Sequence, residues 1–189
     1  MIQDFITAFT LIFFAELLDK TQLVVISLSA KYSKIRVFIA SSLALILMTI
    51  ISAIIGQVIQ YYIPILILKV VSGIIFIAFG VFLLKPRKKH EKEKEINITG
   101  NVTLKIFLLT FIAELGDKTQ ISVILVSTVC DMVILVVIGA ALAFIVITLI
   151  GVLLGSTIKV LLGERKRIID IVSSGIFIFI GLWLLISTF

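Results

Sequence analysis

The sequence predicts an all-α transmembrane protein, in which six helices form two inverted three-helix repeats and both termini face outward. Three observations support this prediction: the composition, the long apolar segments, and a motif that occurs once in each half of the chain. Hydrophobic residues make up 61% of the 189 residues and charged residues only 15%, and the mean hydropathy is +1.30. A soluble domain is about half apolar and about a quarter charged, so this composition excludes a soluble enzyme, a disordered protein and a disulfide scaffold.

Six apolar segments reach the length of about 20 residues that a helix needs to cross a bilayer. They are Asp4–Ala30, Val37–Tyr61, Ile65–Leu84, Leu104–Val129, Met132–Leu161 and Ile168–Ser187. Short polar turns separate most of them, but a mixed-charge segment that opens with Pro86 separates the third from the fourth. We therefore expect a first repeat over residues 1–84, a charged cytoplasmic linker over residues 85–103 and a second repeat over residues 104–189.

Basic residues set the expected orientation, because Lys and Arg collect in the cytoplasmic loops of membrane proteins. The loops after the first, third and fifth helices carry almost all of them, and Lys69 is the only candidate on the opposite side. This distribution predicts cytoplasmic odd-numbered loops in a multi-pass protein of the cell membrane. It also accounts for the net charge of +6 without a nucleic-acid partner. The single cysteine, Cys130, excludes an internal disulfide.

The two halves of the chain share a nine-residue motif. Residues 14–22, FAELLDKTQ, match residues 112–120, IAELGDKTQ, and a Ser-Gly-Ile triplet recurs at Ser72 and Ser174. Because each half has three predicted helices, the second half enters the membrane from the side opposite to the first. Transporters with such inverted repeats bind their substrate near the bilayer midplane, between the repeats.

The charged residues of the motif fall in the middle of predicted helices. At about 1.5 Å per residue, Asp19 lies roughly 22 Å from one end of the first helix and roughly 16 Å from the other, and Asp117 is placed similarly in the fourth. An ionised side chain at the bilayer centre costs about 2.5–3.5 kcal/mol. Four acids and two lysines at this depth are hard to explain by structure alone, and they predict a functional site.

The spacing of the motif predicts an oxygen-rich cation site. Glu16, Asp19 and Lys20 are three and four residues apart, so a continuous helix would place them on one face. A two-fold axis in the membrane plane would bring this face against its copy in the second half. The expected metal ligands are Glu16, Asp19, Thr21, Gln22, Glu114, Asp117, Thr119 and Gln120, with Lys20 and Lys118 as counter-ions. Such donors suit Ca²⁺, Mg²⁺ or Mn²⁺, and the lack of His and Cys in the motif argues against Zn²⁺ or Cu⁺.

The charge of the motif favours exchange of a metal for protons. Its four carboxylates and two ammonium groups carry a summed charge of −2, which one divalent cation or two protons would neutralise. Crowded carboxylates in a medium of low dielectric favour protonation, because like charges and desolvation both disfavour the ionised form. Competition between metal and protons is the minimum requirement for cation/proton antiport. We therefore expect the transported metal, protons and the lipid bilayer as partners, and no cofactor. Whether the protein forms a homo-oligomer stays open.

The double motif also resembles that of a known family. Glu-x-Gly-Asp-(Lys/Arg)-(Thr/Ser), once in each three-helix half, is similar to the signature of uncharacterised protein family 0016, which includes Golgi and bacterial manganese or calcium transporters. The resemblance covers essentially the whole chain and implies a cation/proton exchanger. Its functional acids map onto Glu16, Asp19, Glu114 and Asp117, and the motifs are completed by Lys20, Thr21, Lys118 and Thr119.

One position departs from this pattern, because the first copy has Leu18 where the second has Gly116. Glycine tolerates backbone conformations that other residues avoid. If glycine allows the helix to unwind and turn its carbonyl groups toward the ion, we expect only the fourth predicted helix to unwind easily. The two halves would then contribute unequally to the site.

Two other transport functions remain open. An exporter of small organic cations or amino acids would use the carboxylates to bind an amine and the lysines to bind a carboxylate, and direct metal binding separates it from the preferred hypothesis. A cation channel would use the acids as a selectivity ring, although two lysines among them disfavour a freely conducting pore. We expect no enzyme, because His90 is the only histidine and the motifs of intramembrane hydrolases are absent.

Overall fold

The computed structural model describes residues 2–17, 19–84, 100–163 and 166–187, without the side chains of residues 20, 154–163, 166 and 169. The described residues form eight α-helices and no strand, which confirms the all-helical prediction for this part of the chain. The helices are α1 (Ile2–Glu16), α2 (Lys20–Lys31), α3 (Lys34–Tyr62), α4 (Ile65–Leu84), α5 (Val102–Glu114), α6 (Lys118–Val129), α7 (Val133–Gly163) and α8 (Lys166–Ile186). Most of the predicted linker, residues 85–99, lies outside the described residues, and its last two residues already belong to α5.

The predicted first and fourth helices are each interrupted within the motif, so the expectation of two continuous helices is wrong. α1 ends at Glu16 and α2 begins at Lys20, while α5 ends at Glu114 and α6 begins at Lys118. The expectation that Glu16, Asp19 and Lys20 share the face of one helix is wrong for the same reason. The interruption of the helix, rather than helical periodicity, therefore determines how these side chains are arranged.

The two interruptions have the same backbone geometry. Asp19 and Asp117 each precede a new helix in an extended conformation, with ψ angles of 177° and 162°. Their amide nitrogens donate hydrogen bonds to the carbonyl oxygens of Glu16 and Glu114, at 3.0 and 3.1 Å. Asp is among the residues most often found at the position before a helix, but neither side chain makes the capping hydrogen bond on which this preference rests, so residue preference alone does not explain the two new helix starts.

Glycine assists only the second interruption. Gly116 has a φ angle of +76°, a left-handed conformation that glycine adopts without the steric cost of a Cβ atom. Its counterpart Leu18 lies outside the described residues. The expectation that only the fourth helix would loosen is wrong, because α1 and α2 are separated at the matching place.

Three helices among the described residues are long and apolar enough to cross a membrane, judged by length and composition. They are α3, α4 and the first part of α7, Val133–Leu153. The outer surface agrees with this assignment. Along α3, large apolar side chains are exposed at Ile39, Leu43, Leu47, Ile50 and Ile54, where a soluble protein would place polar residues. These observations confirm the prediction of a helical membrane protein.

The inner face of α3 is more polar than its outer face. Ser41, Ser42, Thr49 and Ser52 are all buried there. Small and hydroxyl-bearing residues allow helices to approach closely where apolar surroundings give little driving force for association. These four hydroxyl-bearing residues of α3 therefore lie between helices and not on its outer face.

Each short helix packs against a long helix from the other half of the chain. α1 and α2 contact α7, whereas α5 and α6 contact α3, and α4 contacts α8. At the α4–α8 contact the rings of Phe76 and Phe177 lie 5.9 Å apart between centroids, and a Cβ atom built on Gly181 would lie 2.7 Å from the carbonyl oxygen of Gly73. This crossed packing also brings α1 against α6 and α2 against α5, which places the two interruptions next to each other.

Candidate metal centre

Two crossed hydrogen bonds join the copies of the motif. The hydroxyl of Thr21 donates to Oε2 of Glu114 at 2.9 Å, and the hydroxyl of Thr119 donates to Oε2 of Glu16 at 3.0 Å. All four side chains are at most 3% exposed. The threonine of each copy therefore fixes the glutamate of the other copy, so the centre forms only where both halves meet.

The second carboxylate oxygen of each glutamate has no hydrogen-bond partner among the described residues. Oε1 of Glu16 and Oε1 of Glu114 are buried and accept no hydrogen bond from any described residue. A buried polar atom left unsatisfied costs about 1–3 kcal/mol, and more when it is charged. Two such atoms at the meeting point of the motifs are suited to receive a cation or a proton.

Three carboxylates lie close enough together to share one metal ion. Glu16, Asp19 and Asp117 each offer an oxygen, and these oxygens all lie within 4.8 Å of one another. Two oxygens bound to one Ca²⁺ ion at about 2.3–2.6 Å are separated by at most about 5 Å. The spacing of the three oxygens thus fits a divalent cation of this size class. Glu114 is not a member of this close group and is connected to the centre through Thr21.

Lys118 lies among these carboxylates. Its ammonium group forms a salt bridge with Asp19, and Nζ is 3.5 Å from Oδ2 of Asp117. The two aspartates belong to different halves, so Lys118 offsets negative charge contributed by both. The side chain of Lys20, the other expected counter-ion, lies outside the described residues.

The helix ends at the centre contribute to its electrostatics. The C-terminal ends of α1 and α5 carry partial negative charge and the N-terminal ends of α2 and α6 carry partial positive charge. Asp19 and Asp117 lie at the positive ends, yet neither side chain makes a capping hydrogen bond to its helix. Both carboxylates instead form salt bridges with Lys118.

The two glutamines of the motif connect the interruptions to the long helices. Nε2 of Gln22 donates to the carbonyl oxygen of Ile147 on α7 at 2.9 Å. Gln120 accepts a hydrogen bond of 2.6 Å from the amide of Gly116 through Oε1, and its Nε2 lies 3.3 Å from Sδ of Met48 on α3. These contacts direct the amides toward neighbouring helices, and a direct role of either glutamine as a metal ligand stays a prediction.

The sequence motif gives no indication of the residues of the long helices that receive these contacts. Met48 and the carbonyl of Ile147 give no signal in the sequence, because an apolar residue in an apolar helix looks like any other. The hydroxyls of Ser41 on α3 and Thr110 on α5, 3.1 Å apart, are a different case, since polar residues within apolar helices are rare enough to be noticed.

The chain matches a known family over both halves. The model of the family described as "Divalent cation/proton antiporter GDT1" matches residues 4–91 and 102–189. Among related proteins, one from Vibrio cholerae named "Putative manganese exporter" is 32% identical over 92% of this chain and 86% of its own length. The chloroplast protein PAM71 of Arabidopsis thaliana is 30% identical over 85% of this chain and 51% of its own length. The GDT1-like protein C186.05c of Schizosaccharomyces pombe is 36% identical over 84% of this chain and 80% of its own length.

These relatives differ in length from the chain. It spans about half of PAM71 and most of the bacterial and yeast proteins. No solved structure matches the chain at a significant level. The family resemblance of the duplicated motif is confirmed by matches that cover both copies. The chain is therefore a member of the GDT1 family of divalent cation/proton antiporters.

Proposed function

We propose that this protein is a secondary transporter that exchanges Mn²⁺ or Ca²⁺ for protons at a site formed by Glu16, Asp19, Glu114 and Asp117. One observation carries the proposal: the crossed threonine–glutamate hydrogen bonds hold two buried glutamates beside the two aspartates, and one oxygen of each glutamate accepts no hydrogen bond from a described residue. Oxygen donors alone favour Mn²⁺ and Ca²⁺ over metals that prefer nitrogen or sulfur. The family description and the name of the Vibrio cholerae relative support the same cargo.

The charges of the site explain why metal and protons would exchange. A divalent cation needs ionised carboxylates, and the same carboxylates without the cation are a buried cluster of like charges that binds protons. Binding the metal therefore expels protons, and binding protons expels the metal. A carrier that is exposed to one side of the membrane at a time converts this competition into antiport.

We further propose that residues 1–84 and 104–189 are inverted repeats, joined by a cytoplasmic linker over residues 85–103, with both termini outside the cell membrane. Each half has two short helices followed by two long ones. In each half, both short helices pack against the first long helix of the other half. The distribution of Lys and Arg supports the orientation. In this arrangement the centre lies near the midplane, where inverted-repeat transporters bind their substrates.

The test is metal transport by the purified protein in proteoliposomes, with Mn²⁺, Ca²⁺ and Mg²⁺ supplied separately and a pH gradient imposed in either direction. Glu114→Gln and Asp117→Asn are expected to lose at least about tenfold in transport rate, because each removes a charge from the site. Asp131→Asn, which changes an exposed carboxylate outside the site, is the matched control. Undiminished transport in both site variants, or Mn²⁺ flux that is indifferent to the pH gradient, would overturn the proposal.

A further inference from the structure

Two buried hydroxyls between α3 and α6 have no hydrogen-bond partner in the part of the chain that the structure describes. Ser52 on α3 and Ser127 on α6 are both fully buried, and neither Oγ atom makes a hydrogen bond to a described residue. Buried polar side chains are normally paired with protein or with ordered water. Neither hydroxyl belongs to the motif or contacts the carboxylates in any way described above, so the metal centre does not explain them.

Both hydroxyls lie along the α3–α6 contact, which we call the polar seam. The seam starts at the centre, where Met48 contacts Gln120. Eight residues further along α3, a Cβ atom built on Gly56 would lie 2.7 Å from Cβ of Ser127. Ser52 is four residues from both Met48 and Gly56, so it lies on the same face of α3.

The polar seam continues toward the end of α3. Nε2 of Gln57 donates to the carbonyl oxygen of Ser127 at 3.0 Å and to Oε1 of Gln60 at 2.8 Å. Both glutamines are only partly buried. From Met48 to Gln60 the helix rises about 18 Å, which leads from the metal centre to the end of the molecule where α3 stops at Tyr62.

The matching contact in the other half is different. Ser29 on α2 has the position in the first half that Ser127 has in the second, counted from the motif, but its hydroxyl donates to the carbonyl oxygen of Ile26 at 2.8 Å. Val25, Leu28 and Val152 are fully buried in one apolar cluster there. In the described part of the chain, the α3–α6 contact therefore has two unpartnered hydroxyls, whereas the matching hydroxyl of α2 is paired. Ser42, nearer the start of α3, and Ser72 on α4 are also unpartnered among the described residues.

The packing of the polar seam limits what can use it. A Cβ atom built on Gly56 would collide with Ser127 and with the carbonyl oxygen of Ile124, and packing this close disfavours passage of a hydrated divalent ion. Single water molecules need only about the volume of one water and two or more polar partners. Hydroxyl groups and waters both donate and accept hydrogen bonds, so a file of them conducts protons without admitting the metal.

We infer that the polar seam holds water and is the route by which protons move between the metal centre and the end of α3. This inference rests on the proposed cation/proton exchange and adds to it a path for the proton that is separate from that of the metal. Ser52 and Ser127 are then positioning residues for water, and they touch neither the metal nor its ligands.

The test compares side chains of equal shape at one position. Valine and threonine have nearly the same shape, because a methyl group of valine takes the place of the threonine hydroxyl, so the packing effect of Ser52→Val is largely shared by Ser52→Thr. Proton movement is followed with a pH-sensitive dye trapped in proteoliposomes, and exchange of Mn²⁺ for Mn²⁺, which needs no net proton movement, is measured in the same preparation. Ser29→Ala, which removes a hydroxyl satisfied by its own helix, is the control for the other half.

We expect Ser52→Val to slow coupled proton movement at least about tenfold, while Ser52→Thr stays within about twofold of the parent and all variants keep parental Mn²⁺–Mn²⁺ exchange. Ser127→Ala is expected to slow proton movement in the same selective way. Equal proton rates for the valine and threonine variants, or a parallel loss of Mn²⁺–Mn²⁺ exchange, would overturn the inference. Failure of the proposed function gives a distinct result, because the parent itself would then show no proton movement coupled to Mn²⁺.

Discussion

Thr119 donates a hydrogen bond of 3.0 Å to Glu16, a residue 103 positions earlier in the chain. The reciprocal pair, Thr21 and Glu114, is 93 positions apart and has nearly the same length, 2.9 Å. A hydroxyl that approaches one oxygen of a buried glutamate fixes the direction of the other oxygen. The threonines of the motif therefore orient the carboxylates, and this role is open to a direct test.

Thr119→Val is expected to weaken Mn²⁺ binding by about tenfold or more, because Glu16 loses the donor that orients it and the lost hydrogen bond to a charged group is worth about 1.5–3 kcal/mol, with each 1.4 kcal/mol equal to about tenfold. Thr119→Ser keeps the hydroxyl and should bind Mn²⁺ within a few-fold of the parent. Calorimetric titration of the purified protein measures both. Equal affinities for the valine and serine variants would show that the hydrogen bond does not orient the site.

Mn²⁺ affinity is expected to rise with pH, since protons compete with the metal for the same carboxylates. The slope of the logarithm of the association constant against pH gives the number of protons released, which we expect to approach two near the pH at which the metal-free site is fully protonated. Glu16→Gln removes one of the competing groups and should lower the slope by up to one. Titrations in buffers of different ionisation enthalpy measure proton release independently, and an affinity that does not change with pH contradicts the competition.

Lys118→Gln is expected to lower the thermal stability of the metal-free protein, because Asp19 and Asp117 lose the ammonium group between them. Removing one partner of a buried ion pair leaves an uncompensated charge. The same substitution removes a cation that competes with the metal, so Mn²⁺ should bind several-fold more tightly and should raise the melting temperature more than it does in the parent. Lys118→Arg, which keeps the charge, is the control. A variant that is less stable and also binds Mn²⁺ more weakly would assign Lys118 a different role.

Gly151→Ala is expected to impair transport because it displaces the side chain of Gln22. A Cβ atom at Gly151 would collide with the amide group of Gln22, which then cannot keep its hydrogen bond to the carbonyl oxygen of Ile147. Gly175→Ala is the matched control, since a Cβ atom there meets no atom within 4 Å and alanine favours a helix by up to about 1 kcal/mol over glycine. Transport rates and melting temperatures of the two variants check this prediction, and equal behaviour would show that the amide of Gln22 has no essential position.

The sequence was most informative about the long helices. The predicted segments Ile65–Leu84 and Val37–Tyr61 agree with α4 and α3 to within three residues at each end, because uninterrupted apolar runs leave few alternatives. The motif also identified residues that the fold brings together, since Glu16, Asp19 and Asp117 lie within one small group of oxygens. Which of the eight expected ligands bind metal, and how the repeats face the membrane, stay predictions.

The interruptions of the first and fourth predicted helices could not be deduced from periodicity. Apolar residues continue on both sides of each motif, so the sequence pattern is that of one long helix, and only Gly116 indicated a break. The extended conformation of Asp19 depends on tertiary contacts, because the half-helices pack on long helices of the other half. The positions that the glutamines contact, Met48 and Ile147, could not be predicted either, because an apolar residue in an apolar helix resembles its neighbours.

The exchange of threonine and glutamate between the halves has a consequence for the origin of such a chain. Each half contributes the same donor and the same acceptor, so the pairing is unchanged when the halves are interchanged. A protein of half the length would build the same centre by pairing with a second copy inserted in the opposite direction. Gene duplication and fusion would then hold one copy in each orientation across the membrane. After fusion the two copies could diverge in sequence, as they do at Gly116 and Leu18.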